Sequence, residues 1–141
     1  MDLIPNTSHS TITVDTMSNS VLASLETYEK ILNDSFSADD AQFDVILKSM
    51  WARDIEATVD GKSFGYDEVY KSLTGLRSMV ASAEVKVLSL FRDGNKYAER
   101  HLTQAVMKDG SRSRADAYVF GELDEDGRIR KFSEALILKN D

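Results

Sequence analysis

Asp116 is the residue of this sequence whose surroundings best suit proton transfer. It stands in the run Ala115-Asp116-Ala117-Tyr118-Val119-Phe120. Alternate side chains of an extended chain share a face, which groups Asp116 with Tyr118 and Phe120. A carboxyl among aromatic rings is costly to ionise. Desolvation raises its pKa, and a second carboxyl nearby raises it further. Glu134 becomes that neighbour if the last strand pairs as its turn suggests. A carboxyl tuned in this way can act as acid or base near neutral pH. The competing role is structural, with Asp116 and Glu134 ion-paired to Arg100 or Arg114. Tyr28 lies on an apolar helical stripe, where packing with a satisfied hydroxyl is the default and chemistry the alternative.

Composition narrows the chemistry. The 141 residues include no cysteine, which removes thiolate nucleophiles, disulfides and cysteine metal sites. The histidines are His9, in a polar tail, and His101, so a histidine zinc site is not expected. A formal net charge of −7 disfavours nucleic acid and anionic membranes as partners. No apolar run approaches the roughly 20 residues that span a bilayer. The N-terminus also lacks the charged and apolar regions of a signal peptide. A soluble, cytoplasmic protein is expected. With 42% apolar and 29% charged residues, the chain has the balance of one globular domain.

The elements that must position these residues follow from periodicity. Residues 1–19, rich in Ser, Thr and Asn and containing Pro5, read as a mobile arm, with Thr11–Val14 as an optional added strand. Val21, Leu25, Tyr28 and Leu32 repeat as one face of a helix running to Asn33, capped by Ser18, Asn19 or Ser20. Ser37 followed by Asp39 and Asp40 predicts a second helix, with Phe43, Ile46, Leu47 and Met50 facing inward and Trp51 at its end as an anchor between helix and sheet. Ala52–Asp60 alternates as a short strand, and Tyr66–Ala81 reads as a third helix. Four long strands follow: Ala83–Asp93, Lys96–Asp109, Ser113–Leu123 and Arg128–Leu138. Asp-Gly and Gly-Asn pairs separate them, the strongest short-range hairpin signals. Strands of about ten residues reach roughly 33 Å, and a sheet that long bends. The expected fold is α+β, a curved antiparallel sheet whose concave face is filled by three N-terminal helices.

Turn lengths then predict which side chains meet. A three-residue loop at Gly110–Arg112 sets Val106 opposite Asp116 and Gln104 opposite Tyr118. The last turn sets Asp116 opposite Glu134 and Tyr118 opposite Phe132. The predicted cavity face therefore collects Val85, Val87, Phe91, Leu102, Val106, Tyr118, Phe120, Phe132 and Leu136, with Asp116, Glu134, Gln104 and Arg100 as its polar groups. An apolar concavity with a few convergent polar groups describes a small-molecule site. The opposite face carries Lys86, Leu88, Leu90, His101, Thr103, Ala105, Ala117 and Val119, which reads as a homodimer surface with His101 on it. A one-residue slip in register exchanges the two faces.

This arrangement resembles the nuclear-transport-factor-2-like superfamily, which includes SnoaL-like polyketide cyclases, ketosteroid isomerases and scytalone dehydratase. The resemblance covers residues 20–138 and implies a cone-shaped α+β fold. Tyr28-Glu29-Lys30-Ile31-Leu32-Asn33 resembles the helix that carries an oxyanion-binding tyrosine, which implies that role for Tyr28. Trp51-Ala52-Arg53-Asp54 with Ala57-Thr58-Val59-Asp60 resembles the run leading to a general-base aspartate, matched by Asp60 with one residue gapped. The strand at Asp116 resembles the one bearing a second, protonated aspartate. Ketosteroid isomerase is a standard worked case of such an acid held neutral by apolar walls. The resemblance implies a cofactor-independent lyase, isomerase or cyclase with Asp116, Tyr28 and Asp60 as its chemical groups. Gln104, Tyr118, Phe120, Phe132, Glu134, Arg100 and Trp51 would then contact a small apolar or moderately polar carbonyl compound. The alternatives are a non-catalytic ligand-binding or dimerisation module of the same fold, or a partner subunit of a larger enzyme.

Overall fold

The computed structural model describes residues 21–139. The arm at 1–19, the optional strand at Thr11–Val14 and the caps at Ser18, Asn19 and Ser20 lie outside the described residues. The first helix, α1 (Leu25–Ser37), starts later than its apolar stripe, because Ser24 supplies the cap. The Ser24 hydroxyl accepts from the Thr27 amide at 3.0 Å. Val21 and Leu22 are buried ahead of the helix. In α2 (Asp40–Met50) the cap is Asp39, not the expected Ser37, which remains within α1. Asp39 accepts from the Gln42 amide at 2.8 Å, and the Gln42 side chain accepts from the Asp39 amide at 3.3 Å, a reciprocal cap. Phe43, Leu47 and Met50 form its buried face.

β1 (Trp51–Val59) turns at Asp60-Gly61 into the short β2 (Lys62–Phe64). Both turn residues have positive φ, 48° and 85°, the Asp-Gly signature of a two-residue hairpin. α3 (Tyr66–Met79) follows, and then β3 (Val80–Asp93), β4 (Lys96–Met107), β5 (Arg112–Leu123) and β6 (Ile129–Lys139). A Cβ added at Gly75 of α3 would meet nothing within 4 Å, so that glycine admits no neighbouring backbone. The sheet is mixed, curved and unclosed, in the order β2-β1-β6-β5-β4-β3. Its one parallel pair, β1 with β6, brings the strand after the first two helices beside the end of the chain. Among the described residues no helix is long and apolar enough to cross a membrane.

α1 is fastened to the edge of β3 by side chains acting as strand partners. The Asn33 amide donates to the Val85 carbonyl at 2.9 Å and accepts from the Val85 amide at 2.8 Å. Glu29 accepts from the Val87 amide at 2.9 Å. This satisfies backbone groups that an open sheet edge would leave exposed to other chains.

Two β-bulges decide which side chains look inward. In the β3–β4 pair, Phe91 faces Ala98 and Ser89 faces Arg100, but Val87 faces His101, leaving Leu88 as an extra residue. In the β5–β6 pair, Leu123 faces Ile129 while Glu122 faces Lys131, leaving Arg130 extra. Each inserted residue reverses the alternation of everything beyond it. The β4–β5 loop is also longer than expected: Asp116 pairs with Leu102 and Val106 with Arg112. The predicted cavity face therefore splits. Val85, Val87, Phe132, Glu134 and Leu136 face the helices, whereas Asp116, Gln104, Arg100, Tyr118, Phe120, Phe91, Leu102 and Val106 lie on the outer face. The expected homodimer face is corrected likewise, since Leu90, His101, Thr103, Ala105, Ala117 and Val119 point toward the helices.

Candidate functional site

Between the helices and the concave face lies a cavity of about 420 Å³. It exists because the inward positions of β5 are small: Ala115, Ala117, Val119 and Gly121. At Gly121 an added Cβ would come within 2.5 Å of both the Tyr97 ring and the Lys131 carbonyl oxygen, so glycine lets the tyrosine lie flat on the sheet. α1 contributes Tyr28 and Leu32 to the walls, α2 contributes Leu47 and Met50, and α3 contributes Val69, Leu73 and Leu76. Trp51 stands at one side, with its ring 6.1 Å from Phe132 in a stacked arrangement and 6.3 Å from Tyr66 edge-on.

One hydrogen-bonded chain of side chains crosses from helix to sheet. The Tyr28 hydroxyl donates to Glu99 Oε2. The same carboxylate, whose side chain is 0% exposed, lies 2.8 and 2.9 Å from His101 Nδ1. A carboxylate only accepts, so Nδ1 carries the proton and the imidazole is held in one orientation. Glu99 and His101 are two apart on β4 and therefore share the inward face. Glu134 enters from β6, level with Glu99 and separated from it by Val119 of β5.

This arrangement shifts the protonation of every member that titrates abnormally. Burial pushes the His101 imidazole down, but the hydrogen bond and charge of Glu99, with Glu134 behind, outweigh it and leave its pKa above the ordinary 6.5. Burial raises the Glu134 carboxyl, the charges of Glu99 and Asp60 add to the rise, and His101 opposes it. Burial, followed by the charge of Glu99, holds the Tyr28 hydroxyl well above the usual tyrosine range. Tyr97 is raised by the same kinds of cause, burial and then Glu99 and Glu134. Among the described residues no group of three or more His, Asp or Glu side chains could hold a metal ion.

Of the residues expected at the site, Tyr28, Trp51, Phe132 and Glu134 line the cavity. Asp116 does not. It is buried on the outer face under Lys139 at 3.4 Å and Arg100 at 3.6 Å, the ion-paired alternative. Arg100 also lies over the Tyr118 ring at 5.1 Å, and Phe120 is 66% exposed. Gln104 is exposed on that face as well. Asp60 occupies the exposed β1–β2 turn, where its carboxylate accepts from the Leu136 amide at 3.0 Å and so secures β6. Sequence reasoning misplaced His101 and missed Tyr97 and Glu99, its neighbours on the inward face of β4. Their signal was present in the small residues opposite them on β5, since a face that must admit helices and a ligand cannot also carry Tyr118 and Phe120.

No protein-family model matches the sequence, and no curated protein matches it. Solved structures do. An NTF2-like protein of unknown function from Exiguobacterium sp. 255-15 superposes with a TM-score of 0.62 at 15% identity, covering 92% of this chain and 99% of that one. The chain has the NTF2-like fold. AclR, a candidate hydroxylase from Streptomyces galilaeus, matches with a TM-score of 0.61 at 15% identity over 80% of each chain. A candidate isomerase of the SnoaL-like family from Agrobacterium tumefaciens str. C58 matches with a TM-score of 0.59 at 15% identity, over 80% of this chain and 97% of its own. At such identities the likeness is one of NTF2-like architecture, and the site must be argued from its own residues.

Proposed function

We propose that this NTF2-like protein is a cofactor-independent lyase, isomerase or cyclase acting on a small carbonyl compound held in the cavity. The observation that carries this reading is the Tyr28–Glu99–His101 chain opening onto an apolar hollow that also receives Glu134. His101 takes the part that the sequence suggested for Asp116. With Nδ1–H held by Glu99, the charged form of the ring, which Glu99 favours, presents a second N–H at Nε2 that donates to a substrate oxygen as negative charge develops there. Glu134 removes or returns the proton on carbon. General acid–base groups so placed contribute about 10²–10⁴ in rate. Apolar walls keep water from competing and strengthen each interaction. The isomerase assignment of the Agrobacterium neighbour agrees in kind with this reading.

The test is deuterium exchange. Enolisable ring ketones that quench Trp51, the single tryptophan of the chain and part of the cavity wall, are incubated with protein in D2O and followed by NMR. The expected result is α-deuteration that His101→Gln and Glu134→Gln each suppress. Ketones that bind without exchanging would leave a ligand-binding module instead.

A second copy of the chain is the proposed partner, seated on the outer face. Phe91, Phe120 and Ile137 are 69%, 66% and 49% exposed there, and exposed apolar side chains gathered on one sheet face favour association.

A further inference from the structure

We infer that Glu134 is the charge filter of this cavity, so that the ligand carries no anionic group and sets a hydroxyl or amine N–H donor against the Glu134 carboxyl. The inference rests on the proposed reading only in requiring that the cavity take a ligand. It assumes no reaction.

The cavity lining contains neither lysine nor arginine. Apart from tyrosines, its ionisable side chains are His101 and Glu134. Any positive charge taken up by His101 is matched by Glu99, 2.8 Å away. The Glu134 carboxyl, by contrast, makes no hydrogen bond and no ion pair among the described residues, although its backbone carbonyl accepts from the Asp60 amide at 2.9 Å. Phe132 and Leu136 flank it on the same face of β6, and Val119 stands directly across. Glu134 is half-buried, and its carboxyl oxygens are not among the fully enclosed unpaired atoms, so water reaches them through the cavity. A ligand that fills the cavity displaces that water and must replace its hydrogen bond, because a carboxyl left without a partner loses its hydration.

The same geometry rejects anions. A carboxylate or phosphate entering the cavity would meet Glu134 with no lysine or arginine in the lining to compensate, and with Glu134 ionised, like charges a few ångströms apart in a low-dielectric site repel strongly. At the ~30 Å³ that each water occupies in the liquid, the cavity holds about 14 non-hydrogen atoms. That is the size of two fused rings with one substituent.

Isothermal titration calorimetry of the full chain with four naphthalene probes tests this: 2-naphthol, 2-naphthylmethylamine, 2-methoxynaphthalene and 2-naphthoate. The expected order is binding of the alcohol and the amine, weaker binding of the methoxy compound that lacks a donor, and at least about tenfold weaker binding of the carboxylate. Glu134→Gln closes the gap between alcohol and carboxylate, and Glu134→Leu does the same where the glutamine variant folds poorly. Equal binding of naphthol and naphthoate by the wild-type chain overturns the filter while leaving the cavity a ligand site. An unchanged gap in both variants likewise overturns the role of Glu134. Failure of all four probes to bind overturns both the filter and the ligand-site reading.

Discussion

Replacing Glu99 by Gln changes one atom type at the centre of the site, and its consequences can be worked through. Wild-type Glu99 accepts from the Tyr28 hydroxyl and from His101 Nδ1 at once. The amide of Glu99→Gln retains one acceptor oxygen for Tyr28 but turns an N–H2 donor toward a ring nitrogen that also carries a proton. Burial of His101 is then opposed only by the more distant Glu134. The His101 pKa should fall from above 6.5 to below it. The lost hydrogen bond is charge-assisted, so the cost in stability is about 1.5–3 kcal/mol. The sign of its pH dependence follows from linkage. A histidine whose folded pKa is raised contributes stability that is complete below its unfolded value of about 6.5 and is lost as pH rises through the folded pKa. The deficit of Glu99→Gln should therefore be largest at acid pH and shrink above the folded pKa of His101. The assay is a side-chain NMR titration in a His9→Gln background, which leaves His101 the sole histidine, alongside urea denaturation from pH 5.5 to 9. Tyr28→Phe serves as control, since it spares the Glu99–His101 contact and should leave His101 above 6.5. A His101 that still titrates above 6.5 in Glu99→Gln, or a stability loss independent of pH, would refute the reasoning.

Other consequences are simpler to state. Glu134 has a folded pKa above its unfolded value, so wild-type stability should fall as pH rises from about 4.3 through the folded value; Glu134→Gln should flatten that part of the urea-midpoint profile. Gly121→Ala forces a methyl against the Tyr97 ring and the Lys131 carbonyl, and overpacking of this kind should cost about 1–3 kcal/mol by chemical denaturation. Asp116→Asn should leave deuterium exchange at its wild-type rate, because Asp116 lies on the outer face; a loss comparable to that of His101→Gln would return Asp116 to the site. Phe91→Asp with Phe120→Asp should shift the protein from dimer to monomer in light scattering, and a wild-type chain that is monomeric at high concentration would remove the outer face as a docking surface.

The order of the helices and long strands, the hairpin positions and the α+β architecture were legible in the sequence, because each follows from short-range chemistry. Asp60, Gly61 and Gly94 turn the chain where they do because few other residues adopt their positive φ, and the stripe ending at Tyr28 and Leu32 buries one helix face wherever that helix goes. The small residues of β5 signalled which face of β4 and β5 turns inward, but the inward residues of β3 and β6 were not legible. Their identity hangs on two extra residues, Leu88 and Arg130, that only the paired strands reveal as bulges. Alternation has a period of two, so a single insertion exchanges an outward Asp116 for an inward Glu134 without altering any local propensity. Sequence determined that a curved sheet would carry carboxyls on both faces. Tertiary pairing decided that Glu99, His101 and Glu134 would meet the cavity, and that Asp116 would lie beneath Arg100 and Lys139 outside it.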